Sequence, residues 1–305
     1  MSKMIRGVIE EIIEEGQLIP RLPVTQLDAK TLLYNREGTL PTASFYDIGE
    51  DIPAQAQATV TQVEATLKRC IGQWDLDNFI KDTYKDPNDI RAQAVSMARK
   101  GVMRTVEDKL VYGAVATSAK EFNGLHALTD SAMKLHAGTL TVGAALSLNQ
   151  LDQLIDLVKP KPTLLVMTFA VFRRLQQAGR GILGQAPLIG TSGPGGTDPA
   201  KVFNTYRDIP IVRSDYLLQT ETISAGVYAL PTGGACSSIF AIRTGPVEEG
   251  GLTLVTGSPM FDIEEIVLED KDANRMRVKW YVTLANGSTK SIGVLDGIVD
   301  VAVAG

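Results

Sequence analysis

The side chains best suited to acid, base or metal chemistry are scarce in this chain. Of 305 residues, two are histidine, His126 and His136, and two are cysteine, Cys70 and Cys236. Neither pair has the spacing of a zinc, haem or iron–sulfur ligand set. The histidines lie beside apolar residues between two elements and read as loop or interface histidines satisfied by backbone. The cysteines read as small buried hydrophobes. Asp262, Glu264, Glu265, Glu269, Asp270 and Asp272 carry enough charge for a hard cation, but their spacing is not that of an EF-hand loop and they fall among strand signals. A solvated acidic face is expected there. Gly190 to Gly196 would let backbone amides approach a phosphate, yet the closing Gly-Lys-Ser/Thr is missing and Pro194 removes a donor, so a flexible surface loop is expected. No Gly-x-Ser-x-Gly elbow surrounds a serine. Asn286-Gly287-Ser288 is formally a glycosylation acceptor, without meaning in a cytosolic chain. These residues predict no catalytic site, no cofactor and no metal.

The elements that would position any site are those of a globular protein. Hydrophobic residues make up 44% of the chain, charged residues 21% and aromatic residues 6%, which excludes a disordered or membrane chain. The formal charge of −5 lacks the basic surplus of proteins that coat nucleic acid. Glu10, Glu11, Glu14 and Glu15 stand where a signal peptide would be apolar, and the longest apolar stretch, Leu164 to Phe172, is too short for a bilayer, so a cytoplasmic protein is expected.

Near the start, Ile5, Val8, Ile9, Ile12 and Ile13 form one face of a helix whose stripe must lie on its own core or on another chain. From Glu37 to Leu67 glycines, prolines and a Thr/Val alternation predict a long, lean hairpin that needs a neighbour to lie on. Asp86-Pro87-Asn88-Asp89 supplies an N-cap, a first-turn proline and an acid. Val95, Ala98, Val102, Val106 and Leu110 then carry one apolar stripe toward Ala116, a rod of about 45 Å. Gly101 is a candidate bend, and Phe122-Asn123-Gly124-Leu125 closes the element. Ser147 to Gln150 reads as a capping box opening a helix with Leu148, Leu151, Leu154 and Ile155 inward, ended by Pro160 and Pro162. Thr163 to Met167 reads as a buried strand and Phe169 to Ala178 as a helix. Strand signals follow at Pro210 to Ser214, Gly226 to Leu230 and Ser238 to Arg243. Met276 to Ala285 and Ser291 to Ala304, joined at Asn286-Gly287, carry a strong hairpin signal. Helices mixed with largely antiparallel strands indicate an α+β chain.

This order of elements resembles the major capsid proteins of tailed bacteriophages, the Hong Kong 97-type capsid fold shared with encapsulins. The resemblance implies an N-terminal arm over 1–36, an extended hairpin (the E-loop) with flanking strands over 37–75, a peripheral domain with a long spine helix over 76–139, an axial domain over 140–255, and a return to the peripheral sheet over 256–305. Pro162 to Met167 matches the family's strand before a helix. Ile209 to Leu217 resembles its Gly-x-Pro-Val strand leading to Ser-Asp, with Asp208 where glycine is usual. Gly226 to Gly233 resembles a segment that usually reads Gly-Asp-Phe, without the acid. The final stretch from Met276 resembles the closing hairpin of the peripheral domain.

Such a protein would be structural rather than an enzyme. It would assemble as hexamers and pentamers into an icosahedral phage head around double-stranded DNA, itself contacted weakly, in the bacterial cytoplasm. Its partners would be copies of itself, a separate scaffolding protein, a portal and a decoration protein, and no membrane. Lysine is absent between Lys30 and Lys68, which argues for non-covalent joints over the cross-links that some members form through an E-loop lysine. The spine helix begins near residue 86, so no long propeptide is expected. Ile5, Ile9 and Ile12 of the arm, Phe45, Tyr46, Val60 and Val63 of the hairpin, and Gly124 are the candidate assembly residues. The alternatives are an encapsulin-type compartment and, from another class, a cytosolic α+β enzyme using carboxylates.

Overall fold

A computed structural model describes residues 17–52, 57–78, 90–139, 142–183, 205–221, 236–258 and 260–304. Strand β12 (Ala273–Asn286) organises the first sheet. On one face Met276, Val278, Trp280, Val282 and Leu284 are buried, the period-two alternation of a sheet that is covered on that side. It pairs antiparallel with β4 (Lys68–Asp77), β10 (Leu252–Gly257) and β11 (Asp262–Val267), and β1 (Val24–Leu27) joins β10 in parallel. Helix α1 (Ile90–Tyr112) lies against β4 and β12, Val102, Val106 and Leu110 enter the core around Trp280, and the short helix α2 (Leu125–Leu128) follows.

The opposite face of β12 is a charge ladder. Arg275 meets Asp75 of β4 through two parallel bonds of 2.7 and 3.0 Å. Lys279 meets Glu264 and Asp262 of β11, and Arg277 reaches Glu264 at 3.7 Å. The acidic run is therefore not simply a solvated face. Asp262 and Glu264 alternate toward the cations opposite them, and the hydrogen bond from Lys279 holds the Glu264 carboxyl below its ordinary range.

The second sheet has the order β5 (Lys134–His136), β13 (Ile292–Val299), β9 (Cys236–Ile242), β6 (Leu164–Met167), β8 (Ile209–Arg213) and β7 (Thr205–Tyr206). Every residue of β6 is buried. Leu164 and Val166 join the core that holds Trp280, while Leu165 and Met167 face α3 (Leu148–Leu157) and α4 (Phe169–Leu183). A strand apolar on both sides belongs inside a layered fold, because each fully buried large apolar side chain contributes about 1.5–3 kcal/mol. Helix α4 connects β6 to its parallel neighbour β8, so one βαβ crossover sits within this otherwise mixed α+β fold.

Several expectations need correction. The last two strands do not form a hairpin. The edges of β12 are taken by β4, β10 and β11, and Asn286 pairs with Leu252, whereas β13, buried on both faces, pairs with β9 and β5 in the second sheet. Gly287 donates to the Gly251 carbonyl and Ser291 Oγ donates to Asn286 Oδ1, which together turn the chain from one sheet to the other. Residues 292–299 thus leave the first sheet, and β10 belongs to it. Helix α1 ends at Tyr112, not Ala116, and its 23 described residues span about 35 Å. The capping box does not form. Ser147 makes no side-chain cap, and the Gln150 amide donates instead to the carbonyls of His136 and Ala137. The outgoing strand of the long hairpin starts at Thr31, inside the segment expected to be arm. The cap at Asp86 to Asp89, the loop Gly190 to Gly196 and the strand signal at Gly226 to Leu230 lie outside the described residues.

Asp208 has a physical explanation. It and Arg207 form the turn between β7 and β8 with φ of 64° and 49°. In this left-handed region glycine is free of the Cβ penalty and aspartate is among the residues that tolerate it.

Candidate assembly surface

The long hairpin is built from β2 (Thr31–Glu37) and β3 (Val60–Thr66), which pair antiparallel along their whole length. Its root is tied to the end of the first sheet. Tyr34 Oη donates to the Asn286 carbonyl at 2.8 Å, the Arg36 guanidinium donates to the same oxygen, and Leu32, Tyr34 and Ala65 pack with Val255 and Ala285. Beyond β2 and β3 the Gly38 amide donates to the Thr59 carbonyl, the Thr59 amide to the Thr39 carbonyl and the Thr39 amide to Thr59 Oγ1. A turn at the tip is closed by the Glu50 amide on the Asp47 carbonyl, with Gly49 at φ 87° and Glu50 Oε2 accepting from the Asp47 amide.

The tip buries almost nothing within its own chain. Phe45 and Ile48 are fully exposed, and Leu33, Leu40, Ile52 and Val60 are exposed as well. Apolar side chains lost to water in this number along one excursion mark an interaction surface. Residues 37–67 also contain Glu37, Asp47, Glu50, Asp51 and Glu64 without one lysine or arginine. The outward face of α1 has the opposite character. Met97 and Met103 are exposed there beside Arg99 and Lys100, with Arg104 half-buried, and the Arg99 guanidinium lies 5.0 Å from the Phe261 ring centre.

The expected assembly residues divide accordingly. Phe45 and Val60 are exposed, while Tyr46 and Val63 are half-buried. Ile5, Ile9 and Ile12 lie outside the described residues. Gly124 is buried and works within the chain, a correction to its expected role. Its amide donates to the Gly113 carbonyl, and a Cβ there would stand 2.5 Å from the Lys109 carbonyl oxygen and 2.7 Å from that of Leu110. The segment 122–125 is therefore glycine-bearing because it crosses the end of α1 at backbone contact. The acidic residues of the hairpin and the cations of α1 are legible in the sequence; which of them are exposed is not.

The remaining polar cluster is internal. Buried Glu221 accepts from Tyr112 Oη and Ser238 Oγ, and His126 Nε2 stands 3.5 Å from its carboxylate. Tyr112 Oη accepts from the Leu218 amide at 2.8 Å. Burial, reinforced by the Glu221 charge, pushes the Tyr112 hydroxyl well above its ordinary pKa. Ser238 bonds directly to the carboxylate, not to His126, so the group has no serine–histidine relay; it locks the 217–221 segment between α1 and β9. His136 Nδ1 meets Asp296 Oδ1, its register partner on β13. His136 is therefore held by a carboxylate, whereas His126 Nε2 is buried near one without a hydrogen bond to it. Among the described residues no three His, Cys, Asp or Glu side chains gather as a metal site, and no helix is long and apolar enough to cross a membrane.

No protein-family model and no curated protein sequence matches the chain. Solved structures match it over nearly its full length. The SrpI encapsulin complex from Synechococcus elongatus PCC 7942 has a TM-score of 0.71 at 16% identity, covering 100% of this chain and 95% of that one. The capsid of the cyanophage A-1(L) has a TM-score of 0.68 at 11% identity, covering 98% and 97%. The capsid of a native GTA particle has a TM-score of 0.66 at 13% identity, covering 98% and 94%. Matching both phage capsids and an encapsulin from end to end, with its two sheets, helix α1 and projecting hairpin, the chain has the Hong Kong 97-type capsid fold.

Proposed function

We propose that the chain is a major capsid protein whose copies form hexamers and pentamers and close into an icosahedral phage head around double-stranded DNA. The observation that carries this reading is the hairpin: a rooted excursion with fully exposed Phe45 and Ile48, whose residues 37–67 hold five acidic side chains and no lysine or arginine. Within one chain such a surface is uncovered; in a closed assembly it lies on a neighbour, and the cationic, methionine-bearing face of α1 is its complement in charge and polarity. Individually modest contacts of this kind hold a shell because closure repeats them. The reading includes a separate scaffolding chain, a portal and a decoration protein as partners, and assembly in the host cytoplasm.

The test is assembly of the purified chain, with the scaffolding protein of its own genome supplied, followed by sedimentation and negative-stain microscopy. Wild type should give capsomers or megadalton shells. A variant with residues 40–57 replaced by a short turn should remain folded and unassembled. A wild type that stays monomeric at high concentration, or a shortened hairpin that assembles equally well, would overturn the proposal. The full-length match to an encapsulin supports one other reading, a protein compartment. Shells isolated from the native source separate the two by content: nucleic acid for a phage head, a protein cargo for a compartment.

A further inference from the structure

A cavity of about 430 Å³ opens at the carboxyl ends of the parallel strands β6 and β8, where the chain leaves Met167 for α4 and leaves Arg213 for Ser214. Phe169, Phe172, Arg173, Gln176, Arg213 and Gln219 line it. Crevices at the carboxyl ends of parallel strands are where open α/β arrangements take ligands. Of the parallel pairs described, β6 and β8 are the ones with helix α4 in the connection between them.

Arg213 gives the cavity its character. Its guanidinium lies 4.9 Å from the ring centre of Phe169 and 5.3 Å from that of Phe172. Two rings from the first turn of α4 thus hold the planar group in a set orientation. Among the described residues no carboxylate or carbonyl accepts a hydrogen bond from it, so its fork of donors is presented to whatever enters. Arg173, on the rim, is paired with Asp300 at 3.0 Å, and Asp300 is shared with Arg174 at 2.7 Å. Counting also the exposed Asp215 beyond β8, the surroundings hold three arginines against two carboxylates, a local positive surplus in a chain of formal charge −5. Gln176 and Gln219 add amide donors.

We propose that this cavity is a binding site for a phosphate-class oxyanion, with Arg213 as the ligand-bearing group. A stacked guanidinium whose donor fork meets no acceptor among the described residues matches the paired oxygens of a phosphate, and the amides supply neutral donors to the remaining oxygens. The phosphate could arrive free in solution or as part of a nucleic-acid strand, and the experiment separates these sources. The inference is independent of assembly: it concerns a single chain and stands or falls without the hairpin.

The experiment is calorimetric titration of the purified full chain with inorganic phosphate, repeated with Arg213→Gln and Gln219→Glu. The second variant changes an exposed side chain, so it keeps the fold while placing a negative charge at the cavity. Wild type should bind phosphate saturably, and both variants should weaken it at least tenfold. A short oligothymidylate that binds wild type, competes with phosphate and loses affinity in both variants assigns the site to nucleic acid; failure to compete assigns it to the free anion. No saturable phosphate binding by wild type, or binding unchanged in the two variants, overturns the site.

Discussion

Glu107 of α1 accepts a hydrogen bond from the Ile19 amide at 3.0 Å, so a carboxylate buried in the helix core caps the turn Ile19–Arg21 before β1. Its second oxygen is buried without a partner. Burial pushes its pKa up to about 7, against the opposing pull of the Ile19 and Leu18 amides. A carboxyl whose folded pKa is raised favours the folded state most at low pH, and stability falls as pH rises from the ordinary carboxylate range to about 7.

Chemical unfolding across pH should therefore show a loss of up to about 3 kcal/mol between roughly pH 4.5 and pH 7 that is absent in Glu107→Gln, which keeps the acceptor and removes the charge. Above pH 7 the glutamine variant should be the more stable. Equal slopes in the two proteins would refute this role for Glu107.

Gly124→Ala should be costly. The new methyl group meets the Lys109 and Leu110 carbonyls, backbone atoms that cannot move aside, and about 2–4 kcal/mol of stability should be lost in thermal or urea unfolding. Gly101→Ala, within α1 itself, is the contrasting case. Nothing lies within 4 Å of its added Cβ, so it should stabilise α1 by up to about 1 kcal/mol.

The pairing of hairpin and helix is testable by charge exchange. Asp47, Glu50 and Asp51 changed together to lysine should slow assembly at least tenfold by light scattering, as should Arg99, Lys100 and Arg104 changed to glutamate. Mixing charge-swapped versions in one chain should restore it, and raised salt should weaken wild-type assembly. A combined variant no better than either parent would place the acidic hairpin elsewhere.

At Asp208, φ of 64° predicts that glycine is accepted with no loss and a gain of up to about 1 kcal/mol. Asp208→Val should destabilise, because a branched Cβ is least tolerated at positive φ. Unfolding midpoints of the two variants should move in opposite directions.

Tyr112→Phe removes the donor to Glu221 and the acceptor of the Leu218 amide, leaving the buried carboxylate with fewer partners and the 217–221 segment with fewer ties. A loss of about 1–3 kcal/mol is expected, with faster proteolysis at 217–221. Unchanged stability and proteolysis would show that the cluster does not hold this segment.

The sequence by itself determined those elements whose pattern is local. The stripe Val102, Val106 and Leu110 announced α1, four consecutive apolar residues announced β6, and the absence of lysine from the hairpin was plain from the residue order. The α+β class and the capsid fold were legible because the order of such elements survives when identity has fallen to 16% or less. Only the tertiary structure decided what depends on pairing partners. Strands β4 and β11 were legible only coarsely, as a flanking strand within 37–75 and as strand signals around the acidic run; their alternation is half charge, and their register and partners are fixed only beside Arg275, Arg277 and Lys279. Asn286-Gly287 looked like a tight turn, yet the edges of β12 were already occupied, so the chain crossed to the other sheet. Gly124, Glu107 and Arg213 took their roles from neighbours 15, 88 and 44 positions away or less, through contacts that no local spacing specifies.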